Sequence, residues 1–354
     1  MTPRDKDGKL MTDMPYFDPD IWINNGIYYG LNGVSSKKPT VMMKSNNLKE
    51  WDYIGDLLHP DFDEKKLGVG KHADISCPNM FKLGDKWVML CISHALGCRY
   101  FIGDFKDEQF MPEQHGMMNW EGWDFFAPES LLTPDGRRVM WAWCTPMDMK
   151  EYQKVPRKKN FPSLLRGKHQ TGIQSLPREL SLAEDGTLLI KPLRELKKLR
   201  SDEKSVQALA IKSDTTHVLK DISGDTIELE IILEAPSAPE FGIKVLCDKD
   251  GNKGFTIASG KGSKTLNVDY INPPFELKQG EDLTLRIFID KYMIEVFAND
   301  RQAAMAWHDY DADDLHVSLF SKGGDLRVKS VSAWKMNSVY TQADAGRPRG
   351  GPEK

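Results

Sequence analysis

The stretch MPYFDPDIWINNGIYYG, residues 14–30, contains the signals that decide the fold. A first apolar run, Asp20 to Trp22, and a second, Ile27 to Gly30, flank the turn sequence Asn24-Asn25-Gly26. Asn-Gly between two apolar runs is a strong signal for a tight hairpin turn. The segment therefore predicts a β-hairpin whose entrance carries an Asp-Pro-Asp sequence.

The same pattern continues over residues 14 to about 190, where short runs rich in Val, Ile, Tyr, Trp and Phe alternate with Gly, Asn or Asp turns. Helical periodicity is nearly absent from this region. The turn sequences KLGDKW, TPDGRR and AEDGTL recur about 50 residues apart, which is close to the length of a four-stranded propeller blade. This spacing favours a β-propeller over a sandwich or a closed barrel.

The second part of the chain has a different texture. Residues 193–207, LRELKKLRSDEKSVQ, are the one candidate for a helix or linker, because dense charges surround a few leucines. The alternating segments that follow, among them DTIELEIILE and LTLRIFID, predict a β-sandwich. We therefore divide the chain into a propeller at 1–195, a sandwich at 196–338 and a tail at 339–354, which is predicted to be disordered because it is poor in apolar residues.

Composition excludes several classes of protein. The 354 residues include 48 Lys and Arg against 52 Asp and Glu, and this balance argues against an electrostatic nucleic-acid binder. No apolar run is long enough to predict a membrane span, and the polar N-terminal stretch predicts no signal peptide in this chain. The five cysteines form no C-x-x-C pair, so we expect buried thiols without a disulfide framework, zinc site or other cofactor. Nothing in the composition indicates an oligomeric state.

Candidate catalytic chemistry lies in two segments. HADISCPNMF carries Asp74, and GWDFFAPESLL carries Trp123, Asp124 and Glu129. Aromatic rings stack on the apolar faces of sugars, and carboxylates accept hydrogen bonds from their hydroxyls. Two carboxylates placed across a glycosidic bond supply the acid and the nucleophile or base of a glycosidase. Each acid taken alone is more commonly a turn or cap residue, so spacing does not decide between these roles.

Longer motifs favour the catalytic interpretation. FDPDIW, SCPNMFKLGDKWVML, CRYFIGDF, WDFFAPESLLTPDGRRVMWAW, TGIQSLPREL and LTLRIFIDKYMIEVFAND follow one another in an order that resembles glycoside hydrolase family 32, the invertase, levanase and inulinase group. The resemblance covers about residues 14–336. It implies an all-β fold, a five-bladed β-propeller followed by a C-terminal β-sandwich. It also implies retaining cleavage of terminal β-D-fructofuranosides, with sucrose or a fructan as the substrate.

The resemblance also assigns roles to residues. Asp18 matches the transition-state-stabilising aspartate of the family's Arg-Asp-Pro motif, with Phe17 in place of the arginine. Ser76 stands where the family has the general acid, the glutamate of Glu-Cys-Pro. Asp74 lies two residues earlier and so on the same face of a strand. We therefore predict that Asp74 is a displaced acid whose pKa is raised by burial and by Asp18.

We expect Asp124, Trp123, Glu129 and Ser76 to contact the substrate. In strand periodicity Asp124 shares a face with Phe126, and Trp123 lies on the other face, so Asp124 is the favoured sugar ligand of the two.

The family's nucleophile motif, of the Asn-Asp-Pro-Asn-Gly type, has no match before residue 17, and we therefore expect the propeller to be incomplete at its N-terminus. Two alternatives stay open. A non-catalytic carbohydrate-binding relative is favoured by Phe17 and Ser76. A five-bladed glycosidase acting on arabinose or xylose glycans is also possible, although the sandwich motif RIFIDKYMIEVFAND weighs against it.

Overall fold

The structure is a computed structural model, and it describes residues 2–13, 17–33, 40–120, 124–144 and 173–340. The chain forms two compact units. The first consists of Met1–Pro192, Tyr270–Pro273 and Asp300–Asp309, and the second of the remaining residues. Within the first unit, the backbone N–H of Ile190 donates to the carbonyl of Asp300 at 2.7 Å. The first unit therefore includes two short segments that lie beyond residue 192 in the sequence.

The described part of the first unit contains three antiparallel sheets built as four-stranded meanders. The first has the order β1-β2-β3-β4 and the second β5-β6-β7-β8, while the third has β9, β10, β12 and β13 with the short β11 also paired to β10. Consecutive strands that pair in sequence order are the construction of a propeller blade. The bounds are β1 Phe17–Asn24, β2 Ile27–Gly33, β3 Val41–Ser45, β4 Asp52–Asp56, β5 Ser76–Leu83, β6 Lys86–Ser93, β7 Gly97–Lys106, β8 Gln109–Met117, β9 Phe126–Leu132, β10 Arg138–Cys144, β11 Ile173–Gln174, β12 Arg178–Leu182 and β13 Leu188–Pro192.

The first hairpin has the predicted turn. Asn24 pairs with Ile27 across a two-residue loop, and Asn25 and Gly26 have φ values of 50° and 80°. Positive φ at both central residues defines a type I′ turn, whose twist matches that of paired strands. The hairpin prediction is confirmed, although both strands are longer than predicted.

A single short helix, α1 Glu64–Leu67, precedes β5 in the described residues and is capped by the Asp63 side chain.

Aromatic side chains fill the core of the first unit. Trp22 stacks on Tyr29 with ring centroids 5.8 Å apart, and Trp87 packs against both Trp22 and Phe105. Trp51 is also buried. These rings bury a large apolar area, and this burial is the main force that holds the strands together. Trp22, Trp51 and Trp87 therefore belong to the core.

The second unit contains two antiparallel sheets. One has the order β14-β24-β16-β20-β21, and the other β15-β23-β17-β18-β19. Strand β20 shows the alternation of buried and partly exposed residues that is expected when one face of a sheet packs on a core. The bounds are β14 Arg200–Ile211, β15 Thr215–Ser223, β16 Thr226–Leu233, β17 Glu240–Cys247, β18 Phe255–Ser259, β19 Asn267–Val268, β20 Leu283–Asp290, β21 Met293–Ala298, β23 His316–Lys322 and β24 Leu326–Met336, while β22 Gln302–Trp307 is counted in the first unit.

The helix or linker predicted over residues 193–207 is wrong for most of its length. A short 3-10 helix covers Arg194–Leu199, and the chain then continues as β14, Arg200–Ile211. Strand β14 pairs with Leu326–Met336, more than a hundred residues away. This long-range pairing overrides the local charge pattern.

The structure describes the state of the cysteines and the lengths of the helices. Cys91, Cys98, Cys144 and Cys247 are buried, Cys77 is partly exposed, and none forms a disulfide. Over the described residues, no helix is long and apolar enough to cross a membrane.

Candidate active site

The first strand of each sheet in the first unit carries the same bulge. In β1, Asp18 and Pro19 together oppose the single residue Asn32, because Phe17 pairs with Gly33 and Asp20 with Leu31. Two residues opposite one is the definition of a β-bulge, which bends the strand and redirects its side chains. The bulge at the beginning of this strand thereby turns the Asp18-Pro19 pair away from the regular ladder.

The other two sheets repeat this geometry. In β5, Cys77 and Pro78 oppose Cys91, and in β9, Ala127 and Pro128 oppose Ala142. The residue before each proline has a positive φ, 40° at Asp18, 44° at Cys77 and 44° at Ala127.

A left-handed residue other than glycine costs about 1–3 kcal/mol, and a following proline restricts the backbone further. Such strain persists only where the surrounding structure imposes it, and it is concentrated at functional sites. The three bulges therefore mark a candidate site at the first strands of the sheets.

Hydrogen bonds join the three bulges. The thiol of Cys77 donates to Oδ2 of Asp18 at 3.4 Å. The backbone N–H of Met80 donates to Oδ2 of Asp20 at 2.5 Å, and the side chain of Asn79 also hydrogen-bonds Asp20. The hydroxyl of Ser130 donates to Oδ1 of Asn79. Side chains from β1, β5 and β9 thus form one connected polar cluster.

Asp20 is the partly buried acid of this cluster. Burial raises the pKa of Asp20, and the hydrogen bonds from Met80 and Asn79 together with the charge of Arg138 act in the opposite direction. The Arg138 guanidinium packs 4.3 Å from the centroid of the Phe81 ring, and burial lowers the pKa of Arg138. Asp20 is therefore held by protein groups, which suits a structural or positioning role.

Glu129 is different, because its side chain is exposed. Surrounding protein atoms partly desolvate the carboxyl, and the negative charges of Asp20 and then Asp18 repel its ionised form; together these effects raise the pKa of Glu129 to about 7. In the described residues its carboxyl makes no hydrogen bond that would favour ionisation. Glu129 is thus reachable from solvent and holds a proton near neutral pH.

The structure corrects the expectation for Asp74. Its Oδ1 accepts a hydrogen bond from the Ser76 hydroxyl at 2.7 Å, and its Oδ2 accepts from the backbone N–H of His94 at 2.9 Å. Nδ1 of His94 lies 2.7 Å from the same oxygen. Burial alone would raise the pKa of Asp74, but these hydrogen bonds and the nearby His94 lower it overall. The predicted raised pKa is wrong, because the ionised carboxylate is stabilised on both oxygens.

Ser76 and Arg99 complete the surroundings of Asp74. Ser76 is buried, and its hydroxyl is used by Asp74. The Arg99 guanidinium is fully buried and donates to the main-chain carbonyl of Asp74. Asp74 and Ser76 do lie side by side, as their spacing predicted. They form a buried hydrogen-bonded pair, and the contact of Ser76 with substrate stays a prediction.

The remaining predicted residues lie around β9. Asp124, Phe125 and Phe126 are all buried, so the expected alternation of faces does not hold. Strand β9 begins only at Phe126, and Asp124 lies in the bend before it. The Tyr270 hydroxyl, in the same unit, donates to Oδ2 of Asp124 at 2.8 Å. Trp123 lies outside the described residues.

Sequence reasoning missed Cys77, Asn79 and Arg138 as members of the cluster, and it gave Asp20 no role. Three segments of the sequence nevertheless contained a signal for these residues. Phe-Asp-Pro-Asp, Ser-Cys-Pro-Asn and Phe-Ala-Pro-Glu each place a polar or acidic residue directly after a proline at the start of a strand. Aligning these three segments brings Asp20, Asn79 and Glu129 into register.

Exposed and partly buried carboxyls lie on the first strands of propeller-type sheets, which is the arrangement expected of a β-propeller glycosidase. The chain belongs to family 32 of the glycosyl hydrolases, since residues 10–192 match that family's N-terminal domain and residues 195–335 its C-terminal domain. The resemblance inferred from the motifs is thereby confirmed.

Individual relatives agree with this assignment. A sucrose-6-phosphate hydrolase of Zymomonas mobilis is 26% identical over 359 residues, covering 92% of this chain and 67% of that protein. A levanase of Bacillus subtilis is 28% identical over 336 residues, covering 84% of this chain and 46% of the levanase. The crystal structure of fructan 1-exohydrolase IIa from Cichorium intybus has a TM-score of 0.72 at 16% identity, covering 90% of this chain and 72% of that one. The all-β class of propeller followed by sandwich is confirmed.

Proposed function

We propose that this chain hydrolyses terminal β-D-fructofuranosides, in sucrose or a fructan, by a retaining two-carboxylate mechanism. The observation that carries the proposal is the placement of the two exposed acids Asp18 and Glu129 on the bulges of β1 and β9, two of the three strands joined in one polar cluster. Membership of family 32 supports it, as do relatives named sucrose-6-phosphate hydrolase and levanase.

Asp18 is proposed to stabilise the transition state. Its carboxylate is exposed, and the only hydrogen bond it accepts within the described residues is from the Cys77 thiol. A carboxylate has about four lone-pair positions, so acceptor capacity remains for sugar hydroxyls. Cleavage of a fructoside develops positive charge at the anomeric carbon and ring oxygen, and a fixed carboxylate beside that charge lowers the barrier.

Asp124 and Trp123 are proposed sugar contacts. Asp124 is 4% exposed, and its Oδ2 accepts a hydrogen bond from the Tyr270 hydroxyl. Both contacts stay predictions.

The test measures release of fructose by the purified chain from sucrose, sucrose 6-phosphate, inulin and levan. Methanol added to the reaction traps the fructosyl group, and methyl β-D-fructofuranoside is the product that a retaining mechanism predicts. Asp18→Asn should lower kcat by at least about a hundredfold, because the charge that stabilises the transition state is lost.

Glu113→Gln is the matched control, because Glu113 lies on β8 and pairs with Lys86 at 2.7 Å, away from the cluster. Its activity should equal that of the unchanged chain. Failure to release fructose from any substrate, with sugar binding retained in calorimetry, would replace hydrolysis by the carbohydrate-binding alternative.

A further inference from the structure

We infer that Glu129, on the bulge of β9, is the proton donor to the leaving group, in place of the acid that the chain lacks at Ser76. The inference rests on the proposed hydrolysis of fructosides and assigns one of its steps. It follows from a comparison of the acids that the first unit brings to this cluster.

Accessibility separates Glu129 from the other candidates for the proton donor. The Asp74 side chain is 8% exposed, and both of its oxygens are occupied by Ser76 and His94. Asp20 is partly buried and bonded to the N–H of Met80. A proton donor must reach the glycosidic oxygen of a bound substrate, and an exposed carboxyl with no hydrogen bond in the described residues meets this condition.

The position of Glu129 in the fold also supports this role. Glu129 follows the proline of its bulge, as Asp20 and Asn79 follow theirs. Glu129 therefore lies on the third of three equivalent bulges. The other two bulges, on β1 and β5, place Asp18 and Cys77 in one cluster. The acid that is absent from β5 is thus available one sheet further along the chain.

The charges around Glu129 come from several elements. β1 contributes Asp18 and Asp20, whose negative charges oppose ionisation of Glu129. The β5 residue Cys77 has its pKa raised to about 12, mainly by burial and then by Asp18, so this thiol is neutral. The cation on the paired strand β10 is Arg138, whose charge acts on Asp20. β6 and β7 also pack on β9, and they contribute the buried groups Cys91, Cys98 and Arg99.

A carboxyl in this environment with a pKa of about 7 holds a proton for much of the time at neutral pH, as general acid catalysis requires. In the proposed step Glu129 gives its proton to the glycosidic oxygen, and the bond between that oxygen and the fructosyl anomeric carbon breaks with its electron pair going to oxygen. A carboxylate nucleophile bonds the anomeric carbon in its place, and the later attack of water releases this carboxylate again. The alcohol leaves neutral. When water later attacks the fructosyl group, Glu129 takes a proton from that water and is restored, so one water is consumed for each bond cleaved.

The experiment compares Glu129→Gln with the unchanged chain on sucrose and on 4-nitrophenyl β-D-fructofuranoside, whose leaving group departs without a proton. We expect kcat/KM for sucrose to fall by about 10²–10⁴-fold, with a much smaller loss on the nitrophenyl substrate. The fall in sucrose activity above pH 7 should disappear in the variant. Equal losses on both substrates, or no loss on sucrose, would overturn the inference.

A second measurement does not depend on turnover. The ¹³C carboxyl resonance of Glu129, assigned by its absence in Glu129→Gln, should titrate near pH 7 and move to lower pH in Asp20→Asn. A resonance that titrates near pH 4.5 would overturn the role of Glu129. If the resonance titrates near pH 7 but the unchanged chain cleaves no fructoside, the proposed substrate class fails while the proton-holding property of Glu129 stands.

Discussion

The Cys77 thiol donates a hydrogen bond to the carboxylate of Asp18, with Sγ and Oδ2 3.4 Å apart. The two residues occupy equivalent bulge positions on β5 and β1. Because the pKa of Cys77 is raised, the thiol keeps the proton that this hydrogen bond uses. Cys77 is therefore a positioning residue for Asp18.

Removal of this donor should weaken catalysis modestly. Cys77→Ala leaves Asp18 without its thiol partner, and one such hydrogen bond contributes about 1 kcal/mol, or about fivefold in kcat/KM. Cys77→Ser restores a donor and should recover most of the activity on sucrose. Cys247→Ala, at a buried thiol of the second unit, is the control and should leave kcat unchanged. Equal activity of the Ala and Ser variants of Cys77 would show that the thiol does not position Asp18.

The raised pKa of Glu129 has a consequence for stability. The folded chain keeps a proton up to about pH 7, whereas the unfolded chain releases it near pH 4.3. The free energy of unfolding should therefore fall as the pH rises between these two values and level off above pH 7. Glu129→Gln removes this fall, so the variant should gain stability relative to the unchanged chain from pH 4.5 to 7.5 in urea titrations. A pH-independent difference would contradict the raised pKa.

Asp74 should affect stability more than the pH profile of catalysis. Asp74→Asn loses a buried, charged acceptor for Ser76 and His94 and should lower the free energy of unfolding by about 1–3 kcal/mol. Because the folded pKa is lowered, this contribution is present above the ordinary value near 3.9 and is lost as the pH falls through the folded pKa. The difference in urea midpoint should be constant from pH 5 to 8. Loss of the alkaline limb in sucrose hydrolysis would instead make Asp74 the proton donor.

The second unit contains a buried charged triad. Oε1 and Oε2 of the fully buried Glu228 accept hydrogen bonds from Arg200 at 2.6 and 2.7 Å, and Arg286 also donates to Oε1. Glu228→Ala removes the carboxylate partner of the Arg200 guanidinium and leaves Arg286, among the described residues, with only its longer pair to Glu230, at 3.9 Å, so it should lower the free energy of unfolding by about 3–5 kcal/mol. Lys212→Ala breaks the exposed pair with Asp325, which solvent screens, and should leave the urea midpoint nearly unchanged. Similar urea midpoints for the two variants would show that the triad does not stabilise the sandwich.

Local chemistry made part of the fold predictable. The Asn25-Gly26 turn is specified by the need for positive φ at two adjacent residues, which this dipeptide tolerates. Strand β14 was not predictable, because its partner β24 lies far along the sequence and its own side chains are mostly polar.

The site was predictable to a smaller extent. The position of Asp18 followed from its motif, but the environment of Asp74 depends on the backbone N–H of His94, twenty residues later, which folds back onto it. The raised pKa of Glu129 depends first on burial and then on the charges of Asp20 and Asp18, which lie more than a hundred residues earlier. The spacing of residues along the sequence shows neither that His94 lies beside Asp74 nor that Asp18 and Asp20 lie near Glu129. The bulges also shift each strand by one residue, and a strict alternation of faces fails where that shift occurs.

Because the bulge is repeated, the residue after each proline occupies an equivalent backbone position that accepts different side chains. These three positions are held by Asp20, Asn79 and Glu129. A single substitution there changes which sheet supplies an acid without rebuilding the strand that carries it. The three strands thus hold a carboxyl, an amide and a second carboxyl at the same backbone position, so the charge of the cluster can change from one side chain to another while the architecture stays fixed.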